Sequence, residues 1–160
     1  MKKLILSTII LATLATSCKK DKEDAPVVSS EENPIPTFLC STGLDHKSIV
    51  HNYANSFEEG FSFKATVKGE IKTLVIKLPT VTSSFRITIW DNVSKAILRT
   101  ENKNIPAANS ITNLTIPTFN IVKDNEYFIS MNTKNDYVRS RTDNAVIPYS
   151  ITVGNIITLG

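Results

Sequence analysis

Cysteine, histidine and glycine are scarce in this chain. Two cysteines, two histidines and five glycines in 160 residues are too few for a disulfide framework, a structural zinc site or a glycine-rich phosphate loop. An excess of one charge is also missing. Eighteen basic against fifteen acidic residues leave a net +3, which excludes a nucleic-acid-binding arm and an acidic tail, so no nucleic-acid partner is expected. What is present is ordinary: 41% apolar and 21% charged residues suit one globular domain with a single core, and exclude a wholly disordered, collagenous or polytopic membrane protein.

The N-terminus carries an address. Met1-Lys2-Lys3 is a short basic segment, and residues 4–15 form an apolar run broken only by Ser7, Thr8 and Thr13. That run is shorter than the about 20 residues a membrane-spanning helix needs and suits the apolar region of a secretory signal. Ala15-Thr16-Ser17 then lead into Cys18. This block resembles the lipobox of bacterial lipoproteins, with Ala15 where an aliphatic residue usually stands. The resemblance implies a signal peptide over residues 1–17, cut before Cys18, and acylation of Cys18. With about 0.8 kcal/mol for each buried methylene, the acyl chains would make the membrane a near-permanent partner. An ordinary signal peptide with Cys18 incidental is the alternative. If Cys18 is acylated, Cys40 has no partner and is expected as a small buried hydrophobe.

Residues 18–36 hold the run Lys19-Lys20-Asp21-Lys22-Glu23-Asp24, three prolines and the pairs Ser29-Ser30 and Glu31-Glu32. With almost no bulky apolar side chains this stretch is expected to be a flexible tether with a reach of about 20–25 Å. Its lysine-then-acid run resembles the signal that sorts lipoproteins of Bacteroidetes-type bacteria to the outer face of the outer membrane. A plain solvated linker is the other reading. The expected location is the outer membrane at the cell surface, or on its periplasmic face.

Residues 37–160 are expected to form the folded domain. Phe61, Phe63, Ala65 and Val67 alternate with Ser62, Lys64, Thr66 and Lys68, the period of a half-buried strand. Lys68-Gly69 reads as a tight hairpin turn with glycine at positive φ, returning along residues 71–78 until Pro79. Phe85, Ile87 and Ile89 share one strand face while Arg86, Thr88 and Trp90 share the other. Asp91-Asn92 is a turn before residues 96–98. Further strands are expected over 110–116, 127–131, 137–141, 145–153 and 156–159, with turns at 102–104, 124–125, 133–136, 142–144 and 154–155. Residues 45–57 are open to two readings, a short helix through Ile49, Tyr53 and Phe57 or the first strand. Many short strands without intervening helices indicate an all-β fold, an antiparallel β-sandwich.

Gly60-Phe61-Ser62-Phe63-Lys64, residues 71–79 and Phe85-Arg86-Ile87-Thr88-Ile89-Trp90-Asp91 resemble a domain of unknown function found in surface lipoproteins of Bacteroidetes and, in related form, beside carbohydrate-active modules. The resemblance runs over about residues 53–137. It implies a jelly-roll-like sandwich and no catalytic residues.

The residues themselves show no catalytic set, and neither a cofactor nor a bound metal is expected. His46 and His51 are five apart and do not readily share one metal. No Gly-x-Ser-x-Gly elbow supports a nucleophilic serine. Glu58-Glu59, with Glu70 nearby, read either as a glycosidase acid pair or as solvated turn charges; neighbours in a strand point apart, which favours the second. Asp91, Asn92 and Asp124 offer oxygen ligands for calcium without the alternating acids of a calcium loop. Aromatic residues are the better lead. Trp90, with Arg86 on its face, has the makings of a sugar-stacking site, or else is a covered structural indole. Tyr137 and Arg139, two apart, form a second candidate pair. The expectation is a non-enzymatic surface lipoprotein whose sandwich binds a glycan or a surface protein; a structural subunit of a surface assembly and a glycoside-active enzyme are the alternatives.

Overall fold

The computed structural model describes residues 31–44, 47–147 and 149–160. Among them are one helix, α1 (Pro34–Thr42), and eight strands: β1 (Lys47–Ala65), β2 (Gly69–Lys77), β3 (Thr82–Asp91), β4 (Ile97–Ile105), β5 (Ile111–Ile121), β6 (Glu126–Ser140), β7 (Ile151–Val153) and β8 (Ile156–Thr158). The strands form an antiparallel sandwich of unequal sheets, one of six strands in the order β4-β3-β6-β1-β8-β7 and one of two, β2-β5. The pairing is nested: β1 with β6, β2 with β5 and β3 with β4, alternate pairs belonging to alternate sheets. That is the pattern of a rolled-up hairpin, the jelly-roll principle.

Period-two side chains make the core. Phe63 and Ala65 of β1, Ile89 of β3 and Tyr127 of β6 face Ile116 of the small sheet, with Ile71, Leu74 and Phe119 packed around them. A second cluster joins Leu78, Phe85, Ile87, Ile105 and Leu114. Beside the small sheet, β4 lines the flank with charge. Arg99 and Lys103 flank Glu101 at 3.6 and 3.5 Å, and Arg99 reaches over to donate to Pro117 O at 2.7 Å. Its guanidinium lies 5.7 Å from the Phe119 ring centroid, so the long side chain covers apolar surface while its head stays wet.

Several local expectations change. The segments on either side of Lys68-Gly69 do not pair with each other. β1 lies in the large sheet and β2 in the small one, so their apolar faces meet across the core rather than edge to edge. Gly69 is correspondingly not among the residues with positive φ. Residues 102–104, expected as a turn, lie inside β4. Residues 127–131 and 137–141, expected as two strands, are one long strand, β6, which continues through the polar stretch 133–136 and ends at Ser140, one residue short of the expected end. In the ambiguous region, the residues from Lys47 onward are strand. The turn at Asp124 has φ 65 and that at Gly154 φ 56, as their residue types suit.

Pro34 and Pro36, assigned by composition to the tether, lie in the helix, which has a proline at its first turn. Gly43 ends the helix at φ 73, and Leu44 N donates to Leu39 O at 3.0 Å, a left-handed cap. Phe38 is buried and stacks on Tyr149, centroids 6.3 Å apart. Cys40 stands exposed rather than buried, on the side of the helix away from Phe38. Glu32 accepts from Asn155 N at 3.0 Å and from the Asn155 side chain, fastening the β7–β8 turn.

Candidate functional site

The outer face of the large sheet is built in rungs across β3, β6 and β1. Trp90, Phe128 and Ser62 stand side by side in register, then Thr88, Ser130 and Gly60, then Arg86, Asn132 and Glu58. The middle rung is small, and the long side chains of the outer two rungs lean over it. Thr88 and Ser130 are therefore only 2% and 1% exposed although they face away from the core. Thr88 is not the solvated position its alternation suggests.

A chain of hydrogen bonds runs over this rung. The indole N–H of Trp90 donates to Ser130 Oγ at 2.8 Å, and the Ser130 hydroxyl donates to Glu58 Oε2 at 2.6 Å. Glu58 Oε1 accepts from the Arg86 guanidinium and from Asn132 Nδ2, the latter at 3.1 Å. Burial alone pushes the Glu58 carboxyl upward. The donors Ser130, Arg86 and Asn132, together with the Arg86 charge, outweigh it and hold the group below the ordinary glutamate value. Glu58 is thus an ionised hub that orients Ser130 and, through it, Trp90.

An open depression of about 470 Å³ lies here, lined by Trp90, Phe128, Ser62, Glu58, Asn92 and Lys95. Its rim is fixed by the β3–β4 turn. Asp91 Oδ1 accepts from Val93 N at 3.0 Å and Ser94 N at 2.7 Å, an Asx turn. Lys95, at φ 61, donates from Nζ to Asn92 Oδ1 at 3.1 Å. Two aromatic side chains and a ring of hydroxyl, amide and charged groups thus share one shallow surface. That is suited to stacking a flat ligand face while hydrogen-bonding its edge. Trp90 itself is half-buried.

Of the residues singled out from the sequence, Trp90 and Arg86 come together through Ser130 and Glu58. Tyr137 and Arg139 do not join them. Tyr137 sits toward the far end of β6, where its hydroxyl donates to Asn109 and Lys77 Nζ lies 5.5 Å from its ring centroid. Arg139 pairs in register with Ser48. Glu58 and Glu59 part: Glu58 enters the network above, whereas Glu59 is the register partner of Met131 and takes no part in it. Both lie within β1 rather than in a turn. Glu70 pairs with Lys72 at 2.7 Å. Asp91 spends its carboxylate on backbone N–H groups, and Asp124 lies 3.9 Å from Lys64. Among the described residues no three His, Cys, Asp or Glu side chains gather as metal ligands. Cys18 and His46 lie outside the described residues.

Phe128, Ser130, Asn132 and the role of Glu58 are not evident from the sequence. The only signal within β6 is that Ser130 and Asn132 alternate with Tyr127, Ile129 and Met131, and it becomes a site only when β6 is placed between β3 and β1. The chain matches no known protein family, no curated protein and no solved structure.

Proposed function

We propose that this face is a non-catalytic glycan-binding platform, carried by a lipoprotein anchored at the cell surface through Cys18. The observation that carries the reading is the Trp90–Ser130–Glu58–Arg86 chain, which holds an indole beside Phe128 at the edge of an open depression. Preorganised aromatic and polar groups lower the ordering cost of binding. Among the described residues Glu58 is the one carboxylate lining that depression, and a carboxyl kept ionised is a poor general acid, so binding without hydrolysis is the better fit. The lipobox-like block before Cys18 and the charged run after it support the anchor and the surface location.

The test is a glycan array probed with the full chain carrying Cys18→Ala, followed by titration of any hit. Trp90→Ala is expected to weaken binding about 5- to 150-fold, as loss of an aromatic anchor costs about 1–3 kcal/mol. Trp90→Phe keeps a ring and loses only the bond to Ser130, so it is expected to retain most of the affinity. A blank array, or binding indifferent to Trp90→Ala, overturns the platform. The anchor has its own test. Metabolic labelling with a fatty-acid analogue is expected to tag the wild-type chain and leave the Cys18→Ala chain unlabelled, and label on the variant would refute acylation at this position.

A further inference from the structure

The six-stranded sheet ends in two unlike edges. On one side is β7, three residues long and lying beside α1. On the other is β4, nine residues long, and among the described residues no strand lies beyond it. Between irregularities at either end, residues 99–103 pair with residues 85–89 of β3 without a break. A regular edge of this kind presents every second N–H and C=O outward, a template for another strand.

Protected edges carry proline within the strand, or charge of one sign that makes copies repel. β4 has neither. Pro106 stands just past its end, and the charges on its half-buried face alternate in sign through Arg99, Glu101 and Lys103. Its other face carries Thr100, Asn102 and Asn104, all exposed. Ile97 and Leu98, at the start of the strand, are exposed as well, at 59% and 45%.

We propose that β4 pairs antiparallel with β4 of a second copy of this chain, about a two-fold axis at Thr100, joining the two large sheets into one. Such a contact is self-complementary and sets each residue against one of the same face, so the registers are few. The axis at Thr100 places Arg99 of each copy opposite Glu101 of the other. Every Glu101 then has an arginine along its own strand, at 3.6 Å, and another across the interface, where opposed Cβ atoms lie about 5 Å apart. An axis at Arg99 or at Glu101 opposes that residue with itself, and the Glu101 axis also opposes Arg99 with Lys103. An axis at Asn102 matches Glu101 with Lys103 but sets Arg99 against Ile105, which is already closed at 0% exposure. The Thr100 register instead brings the exposed Ile97 and Leu98 opposite Lys103 and Asn102 of the copy.

Because the axis runs through the sheet from face to face, both outer faces look the same way. On the platform reading, on which the dimer itself does not depend, two Trp90 surfaces would then meet one repeating glycan and bind it with avidity.

The test is sedimentation equilibrium of the full chain carrying Cys18→Ala, in reducing buffer so that the exposed Cys40 cannot link copies. A monomer–dimer equilibrium that weakens as salt is raised is expected. Arg99→Glu and Glu101→Arg each oppose like charges twice and are expected to weaken the dimer about tenfold or more. The double reversal is expected to restore it to within about threefold of wild type. Arg99→Glu also loses the bond to Pro117 O, so Thr100→Lys, at an exposed position, serves as a second variant: it puts two ammonium groups on the axis and is expected to leave monomer alone. Wild type that stays monomeric at every concentration overturns the proposal. So does a dimer indifferent to the single reversals, one that the double reversal does not restore, or one that persists in Thr100→Lys.

Discussion

Gly60→Ala is expected to be among the most damaging single changes in this protein, although it adds one methyl group. A Cβ at Gly60 would fall 1.9 Å from Ile129 O and 2.8 Å from both Ile129 C and Ser130 Cα. All three are backbone atoms of the central strand β6, so no side chain can swing aside to make room. Relief requires β1 to move away from β6 in the middle of their ladder, which strains the Ser130–Glu58 bond on one face and the Phe61 and Phe63 packing on the other. A cost of about 3 kcal/mol or more is expected, at the upper end of overpacking effects. Urea unfolding of Gly60→Ala beside Gly69→Ala measures it. Gly69 has open space around its missing Cβ, and its alanine variant is expected to behave like wild type. Equal stability of the two variants would refute the close approach of β1 to β6.

Ile87→Asp is expected to leave no folded population. Ile87 is 2% exposed between the sheets with Leu78, Phe85, Ile105 and Leu114, and a carboxylate there has neither solvent nor partner, a penalty of several kcal/mol. The companion change on the other face is informative. Thr88 is equally buried, and Thr88→Asp would place a second carboxylate one rung from Glu58. A loss of about 2–3 kcal/mol is expected, well beyond the roughly 0.5 kcal/mol of a surface change such as Val93→Asp at a 75% exposed position. Circular dichroism melts of the three variants give the order. A Thr88→Asp protein as stable as Val93→Asp would show that the outer face is open to water there.

The alternation of residues 61–67 and 85–90 was sufficient to place an all-β sandwich and to put Trp90 and Arg86 on one face opposite Phe85, Ile87 and Ile89, because side-chain parity is a local property of an extended chain. Partner choice is not local. Nothing near Lys68-Gly69 shows that β2 pairs with β5 rather than β1, since both arrangements bury the same apolar residues. Polar content misled at 133–136 and 102–104, where Thr, Asn, Lys and Asp continue a strand because their ladder partners, not their propensities, decide. The same limit applies to the site. Trp90 was visible as a lone indole, whereas Ser130 and Glu58 lie 40 residues after it and 32 before it, and become its neighbours only through register. Asp136 was read as a turn residue for the same reason, and its burial follows from the strand that runs through it.

Nesting also sets an order of assembly in time. Closing a loop costs entropy that grows with its length. The inner pair β3–β4 is joined by a short turn, β2–β5 must close around it, and the outer pair must bring Lys47 to Ser140. The longest strand is thus made early and partnered last. Until β6 has emerged and docked, β1 has no stable mate, and its unpaired edge and its core-facing Phe63 and Ala65 stay available to other chains. For this architecture the window of greatest risk falls during synthesis, before the ladder that later makes the sheet continuous can exist.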